Sequence, residues 1–196
     1  MKIKNLAICG VDAIRYLNSD IIKSLSKSLE FISKLFRFNG NVSLEFVSNN
    51  YILSNFPSIR YIYPNAEAIT FQDRIYVSLD NICTDNVFNV VIHEYVHVCI
   101  AATFSKICPM WLNEGLAVYL SDQTDDIIEI SPNNVECFYV SNQSYANFYN
   151  MSIYVVKRLV TIYGLQKVVE KAQNCKLFET DDLFGVRAIK DLIETT

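Results

Sequence analysis

The residues of this 196-residue chain best suited to chemistry lie in one five-residue run, His93-Glu94-Tyr95-Val96-His97, which holds both of its 2 histidines. Residues four apart share one face of a helix, so both imidazoles can reach a single metal ion. Glu94 stands beside them, where a carboxylate can take a proton from an activated water. A further acid, Glu114, follows in Trp111-Leu112-Asn113-Glu114-Gly115-Leu116-Ala117. The chemistry these types and spacings suit is that of a zinc hydrolase.

A pattern this short also arises by chance, so its surroundings matter. Residues 85–92 before it and 98–102 after it are mostly apolar, and the whole reads as one long buried helix. Thr84 or Asp85 can cap its start. A buried helix has little use for two histidines and a glutamate unless they pair or bind metal.

The third ligand is sought by elimination. There is no third histidine, and the metzincin pattern fails, with Ile100 where it needs glycine and Thr103 where it needs histidine. Cys99 lies two positions beyond His97, about 200° round the helix. Cys108, just before Pro109, stays open as a thiol ligand. Glu114 falls near the start of a second helix bounded by Pro109 and running through Trp111, Leu112, Leu116, Val118, Tyr119 and Leu120. If that helix folds back, Glu114 completes a His₂Glu site with one open position, a catalytic zinc arrangement. Otherwise it is a solvated acid favoured by the helix dipole.

With these two runs the chain resembles the gluzincin metallopeptidases, most closely their small bacterial peptidase-MA-like branch, whose third zinc ligand lies in a W-L-x-E-G-L-A run. The likeness covers roughly residues 66 to 122. A weaker one runs from Tyr149-Asn150-Met151-Ser152 through Tyr163-Gly164, similar to a C-terminal helical segment of that branch. The resemblance implies one Zn2+ per chain on His93, His97 and Glu114, with Glu94 as base and a peptide or a specific protein as substrate. Larger gluzincins carry an aspartate four residues after the ligand glutamate, where this chain has Val118. The partner that orients His93 is therefore open between Asn89, one turn earlier, and a backbone carbonyl.

Peptide hydrolysis also needs a donor for the oxyanion beyond the metal. With no histidine left, tyrosine is the natural donor. Tyr149 matches a tyrosine of the resembling segment, and Tyr145 is the alternative. By the same resemblance, the run from Arg74 to Leu79 is the sheet edge to which a substrate adds as an extra strand, through Arg74, Ile75, Tyr76, Val77 and Ser78. A reading of another class is a gluzincin-like domain without turnover that binds a partner protein or metal. The intact Glu94 favours the enzyme, because a binding module gains nothing from a base there.

The elements that must position these residues can be read coarsely. Ile22, Leu25, Leu29, Ile32 and Phe36 recur at helical steps, giving an amphipathic helix from about Ser19 to Arg37, stopped near Gly40. Its lysines read as a solvated basic face rather than a membrane surface. Val42, Leu44 and Phe46 alternate as a strand, and β-rich runs follow over residues 59–63, 66–71 and 74–79. Residues 127–130 and 135–140 flank Ser131-Pro132-Asn133-Asn134 as a hairpin. Helices are expected over 149–163, 165–173 and 183–193. The fold class is α+β: an N-terminal helix, a small mixed sheet, the zinc-site and glutamate helices, then a helical C-terminal part. The expected organisation is a single domain with a helix-plus-sheet lobe (1–83), zinc-binding helices (84–122) and a hairpin-and-helix lobe (123–196).

Composition narrows the class further. No apolar run approaches the roughly 18 residues of a membrane span. The run from Leu6 to Val11 is too short for a signal peptide, so a cytoplasmic location is expected. The 6 cysteines lack C-x-x-C spacing and read as buried thiols rather than disulfides. The net charge of -4 is uneven: residues 61–150 carry 2 basic and 11 acidic side chains, and the zinc motif lies among them. That sign argues against a nucleic-acid partner. If Asp122, Asp125, Asp126, Glu129 and Glu136 line a cleft rim, they favour cationic peptides.

Overall fold

The computed structural model describes residues 1–10, 13–123 and 145–194. The chain divides into two compact units, Met1–Ala102 and Thr103–Thr196. The division falls inside the 84–122 stretch read from sequence as one pair of zinc-binding helices.

Among the described residues, the first unit is built on a five-stranded mixed sheet. Its strands are β1 (Lys2–Ile3), β2 (Leu6–Cys9), β3 (Val42–Val47), β4 (Ala68–Phe71) and β5 (Arg74–Ser78), in the order β1-β2-β3-β5-β4. β1 and β2 form an antiparallel hairpin, and β2, β3 and β5 run parallel. Parallel neighbours need crossovers, supplied by the short helix α1 (Ala13–Tyr16) and α2 (Ser19–Phe36), then by α3 (Asn49–Asn55) and α4 (Ile59–Ile62). β4 returns antiparallel on β5 through a tight turn in which Gln72 takes a φ of 56°.

α2 matches its sequence signals closely. Asn18 caps it by accepting from the backbone N–H of Asp20 and Ile21, and Arg37 ends it in the left-handed conformation. Leu25, Leu29, Ile32, Leu35 and Phe36 form its buried stripe. In the sheet, registers Leu6↔Val42, Ile8↔Leu44, Leu44↔Ile75 and Phe46↔Val77 align these apolar residues on one face. On the other face Tyr76 and Ile69 cluster with Ile52 of α3, Phe56 just after it and Ile59 of α4.

Two expectations require correction. Residues 59–63, read as a strand, open as α4: Pro57 fixes its φ near the helical value, and Tyr61 N–H bonds back to the Ser58 carbonyl. The run 74–79 is not a sheet edge. β5 lies between β3 and β4, with Ile75 facing Leu44 on one side and Thr70 on the other, so its ladder groups are used on both sides. Arg74 pairs with Glu45 at 3.3 Å. Among the described residues the edges are β1 and β4.

α5 (Val87–Thr103) closes the first unit, starting two residues later than Asp85. It is rich in β-branched residues that are poor helix formers, and burial outweighs that preference. Val87, Val90, Val91, Ile92, Tyr95, Val96, Val98, Cys99 and Ile100 are all buried, so the helix is apolar over most of its circumference.

The second unit is helical among its described residues: α6 (Met110–Ser121), α7 (Tyr145–Tyr163), α8 (Leu165–Gln173), a 3₁₀ turn (Phe178–Thr180) and α9 (Val186–Glu194). Trp111 is fully buried and packs against Phe184 with ring centroids 6.4 Å apart. The expected hairpin of 127–130 and 135–140 lies outside the described residues, as do Cys137, Asp125, Asp126, Glu129 and Glu136. None of the five described cysteines forms a disulfide; Cys9 and Cys83 are exposed, and Cys99 and Cys175 are buried. Among the described residues no helix is long and apolar enough to cross a membrane.

Candidate metal centre

Between Val90 and Ile100, the only residues of α5 that are not buried are His93, Glu94 and His97. They form a half-buried strip on the enclosed middle of the helix, whose ends are more open: Phe88, Asn89 and Thr103 are half-buried, and Ala101 and Ala102 are exposed. The strip follows from the four-residue spacing of the histidines. The imidazole rings lie 4.7 Å apart between centroids, at 83° to one another. One donor atom from each of the three residues can be chosen so that all lie within 4.8 Å of one another. Two imidazoles and a carboxylate at this separation suit a borderline cation such as zinc.

Two sets of contacts fix the strip. Tyr95, on the opposite side of α5 and fully buried, donates from its hydroxyl to Asn5 Oδ1 at 2.8 Å. A phenol has one proton, so the 2.8 Å contact with Ser33 is made by Ser33 donating to Tyr95. Asn5 also donates from Nδ2 to the Gly40 carbonyl at 2.8 Å. One tyrosine thus ties the histidine helix to the first hairpin, α2 and the loop leading to β3. Burial pushes its pKa up to about 12, so it stays a neutral donor.

The second contact touches the strip itself. Thr70, on the edge strand β4, places Oγ1 2.7 Å from Glu94 Oε2 and 3.1 Å from the Glu94 carbonyl oxygen. The sequence reading missed this residue. A threonine in a short strand carries no local sign of a partner 24 positions away, and only the strand parity that sets Thr70 opposite Ile75 places it on the α5 side.

Of the other residues read as functional, Glu114 and Tyr149 belong to the second unit. Glu114 is half-buried on α6, and its Oε2 is shielded from solvent. Beside it, Gly115 is required by close packing: a Cβ there would meet the Ser152 carbonyl oxygen and Val156 Cγ2 on α7, each at 2.6 Å. Tyr149 stands one turn before Ser152 on α7, half-buried, its ring edge-on to Phe148 at 6.4 Å. Burial is the main force raising the Cys108 thiol pKa, followed by the charges of Cys175 and Glu114. Asn89 is half-buried one turn before His93 on α5. Arg74, Ile75, Tyr76, Val77 and Ser78 are interior ladder residues of β5. No protein-family model, curated protein or solved structure matches the chain.

Proposed function

We propose that the protein is a zinc-dependent peptide hydrolase of the gluzincin type. The observation that carries this reading is the half-buried trio His93, Glu94 and His97, whose donor atoms lie within 4.8 Å of one another. His93 and His97 are the first two ligands. Glu114 is taken as the third on the strength of its W-L-N-E-G-L-A run. Bound there, zinc would act as a Lewis acid toward the scissile carbonyl and bring the pKa of water toward neutrality.

The chain's own residues supply the rest. Glu94 Oε2 is engaged by Thr70, which leaves Oε1 to take the proton of the attacking water and hand it to the departing amine. The Tyr149 hydroxyl is the donor assigned to the developing oxyanion. An extended peptide would add to β4 rather than β5, since among the described residues β4 is an edge strand, and its Thr70 touches the base.

The test is to load the purified protein with zinc, incubate it with a diverse peptide mixture and sequence the products. New peptide termini that disappear on chelation and return with zinc are expected. No cleavage by protein holding stoichiometric zinc would defeat the hydrolase reading.

A further inference from the structure

Glu94 has two roles open to it, and they exclude one another. Its carboxylate is close enough to both imidazoles to become a ligand itself. It is also the only acid of the trio, and so the only one able to serve as base. What separates the roles is where its oxygen lone pairs are spent.

Thr70 spends one of them. Its hydroxyl has a single proton, and two acceptors lie near: Glu94 Oε2 at 2.7 Å and the Glu94 carbonyl oxygen at 3.1 Å. The shorter contact goes to the charged acceptor and is the stronger bond. The anchor is stiff. Thr70 is β-branched, with restricted χ1, and its strand is held by the Thr70↔Ile75 register of β4 on β5. Its neighbours Ile69 and Phe71 point to the opposite face, where Ile69 joins the Ile52 cluster and Phe71 packs on Phe56 at 5.3 Å. The strand therefore keeps the Thr70 side chain on the α5 side, and only rotation about χ1 could move its hydroxyl from Glu94.

We infer that Thr70 is a positioning residue that holds the Glu94 carboxylate as a base and keeps it from becoming a metal ligand. The inference rests on the metal reading of the trio. It goes further by naming the residue that decides what the third member of the trio does.

The experiment compares Thr70→Val, which keeps the shape and removes the hydroxyl, with Thr70→Ser, which keeps the hydroxyl. Each is made alone and with Glu94→Gln, and each is loaded with Co2+ in place of zinc. In the wild type and in Thr70→Ser, Glu94→Gln should leave the visible cobalt spectrum unchanged. In Thr70→Val the released carboxylate joins the ion, so the absorption weakens as coordination number rises, and Glu94→Gln restores it. Where a cleaved peptide is in hand, Thr70→Val should lower kcat about 10- to 100-fold, the usual cost of losing an orienting partner at a metal site. KM should change little, and Thr70→Ser should recover most of the rate.

A Thr70→Val protein with the wild-type cobalt spectrum overturns the inference, whether or not a substrate has been found. So does equal loss of kcat in Val and Ser. Wild-type protein that takes up no cobalt overturns the metal reading and the inference with it. Wild type that binds and cleaves beside an unaltered Thr70→Val overturns the inference alone.

Discussion

Gly115→Ala probes the packing that holds the Glu114 helix, and its size can be worked from local geometry. The added Cβ would lie 2.6 Å from the Ser152 carbonyl oxygen, 2.6 Å from Val156 Cγ2 and 3.0 Å from the Ser152 carbonyl carbon. Two of those three atoms are backbone of α7, so rotating one side chain cannot relieve the contact. The helices must separate, and overpacking of this kind costs about 1–3 kcal/mol. Against it stands alanine's better helix propensity, worth about 1 kcal/mol over glycine. Because two of the contacts are with backbone, the upper half of the overpacking range, about 2–3 kcal/mol, applies; the expected net loss is then about 1–2 kcal/mol, or a fall of roughly 2–8 °C in Tm for a chain of this size. Urea unfolding of the metal-free protein, followed by circular dichroism, measures it without interference from zinc. Gly164→Ala is the contrasting case: nothing lies within 4 Å of its Cβ, and its φ of +81° is the sole source of strain. A Gly115→Ala protein as stable as wild type, or more so, would refute the close approach of α6 and α7 and with it the reason for glycine after Glu114.

Other outcomes follow from the same structure. Purified protein should hold about one zinc per chain by elemental analysis, and a His93→Ala/His97→Ala double variant should lose it; full occupancy in that variant would remove the site from α5. Tyr95→Phe strands Asn5 Oδ1 and Ser33 around a missing hydroxyl and should lower unfolding free energy by about 1–3 kcal/mol in a denaturant titration, whereas no change would mean that the network does not hold α5. The Glu30 carboxyl is held at about 2, below its ordinary value of 4.5, first by hydrogen bonding to Lys4 and then to Lys34. Because the folded pKa is the lower one, the stability this group contributes is present above about pH 4.5 and is lost as pH falls through about 2. A carboxyl NMR titration should find the low midpoint, and Lys4→Ala/Lys34→Ala should move it back up; an unmoved midpoint would deny the pairing.

The sequence made α2, β3, α6, α8 and the trio on α5 legible because each signal is local. A cap at Asn18, alternation through Val42, Leu44 and Phe46, a proline stop at Pro109 and a four-residue histidine spacing need no knowledge of distant partners. What escaped was non-local. β2 is four residues long and finds its parallel partner β3 more than thirty positions on, so its short apolar run was read only as too short for a signal peptide and not as a strand. Strand order likewise has no signature in composition. Arg74–Ser78 and Ala68–Phe71 both read as strands, and only pairing decides that the first is enclosed and that the second, among the described residues, lies at the edge. Thr70 was lost for the same reason, since its role depends on which face of an edge strand meets α5.

The central claim is that His93 and His97 hold a metal while Glu94 acts on the substrate without binding that metal. Zinc content and peptide cleavage measured side by side on the wild type and on Glu94→Gln test it most directly. The account expects the same one zinc per chain in both proteins, with turnover lost from the variant by about 100-fold or more, the scale of general-base catalysis. Undiminished cleavage by Glu94→Gln at full zinc occupancy would contradict it, as would loss of the zinc from a variant that still folds.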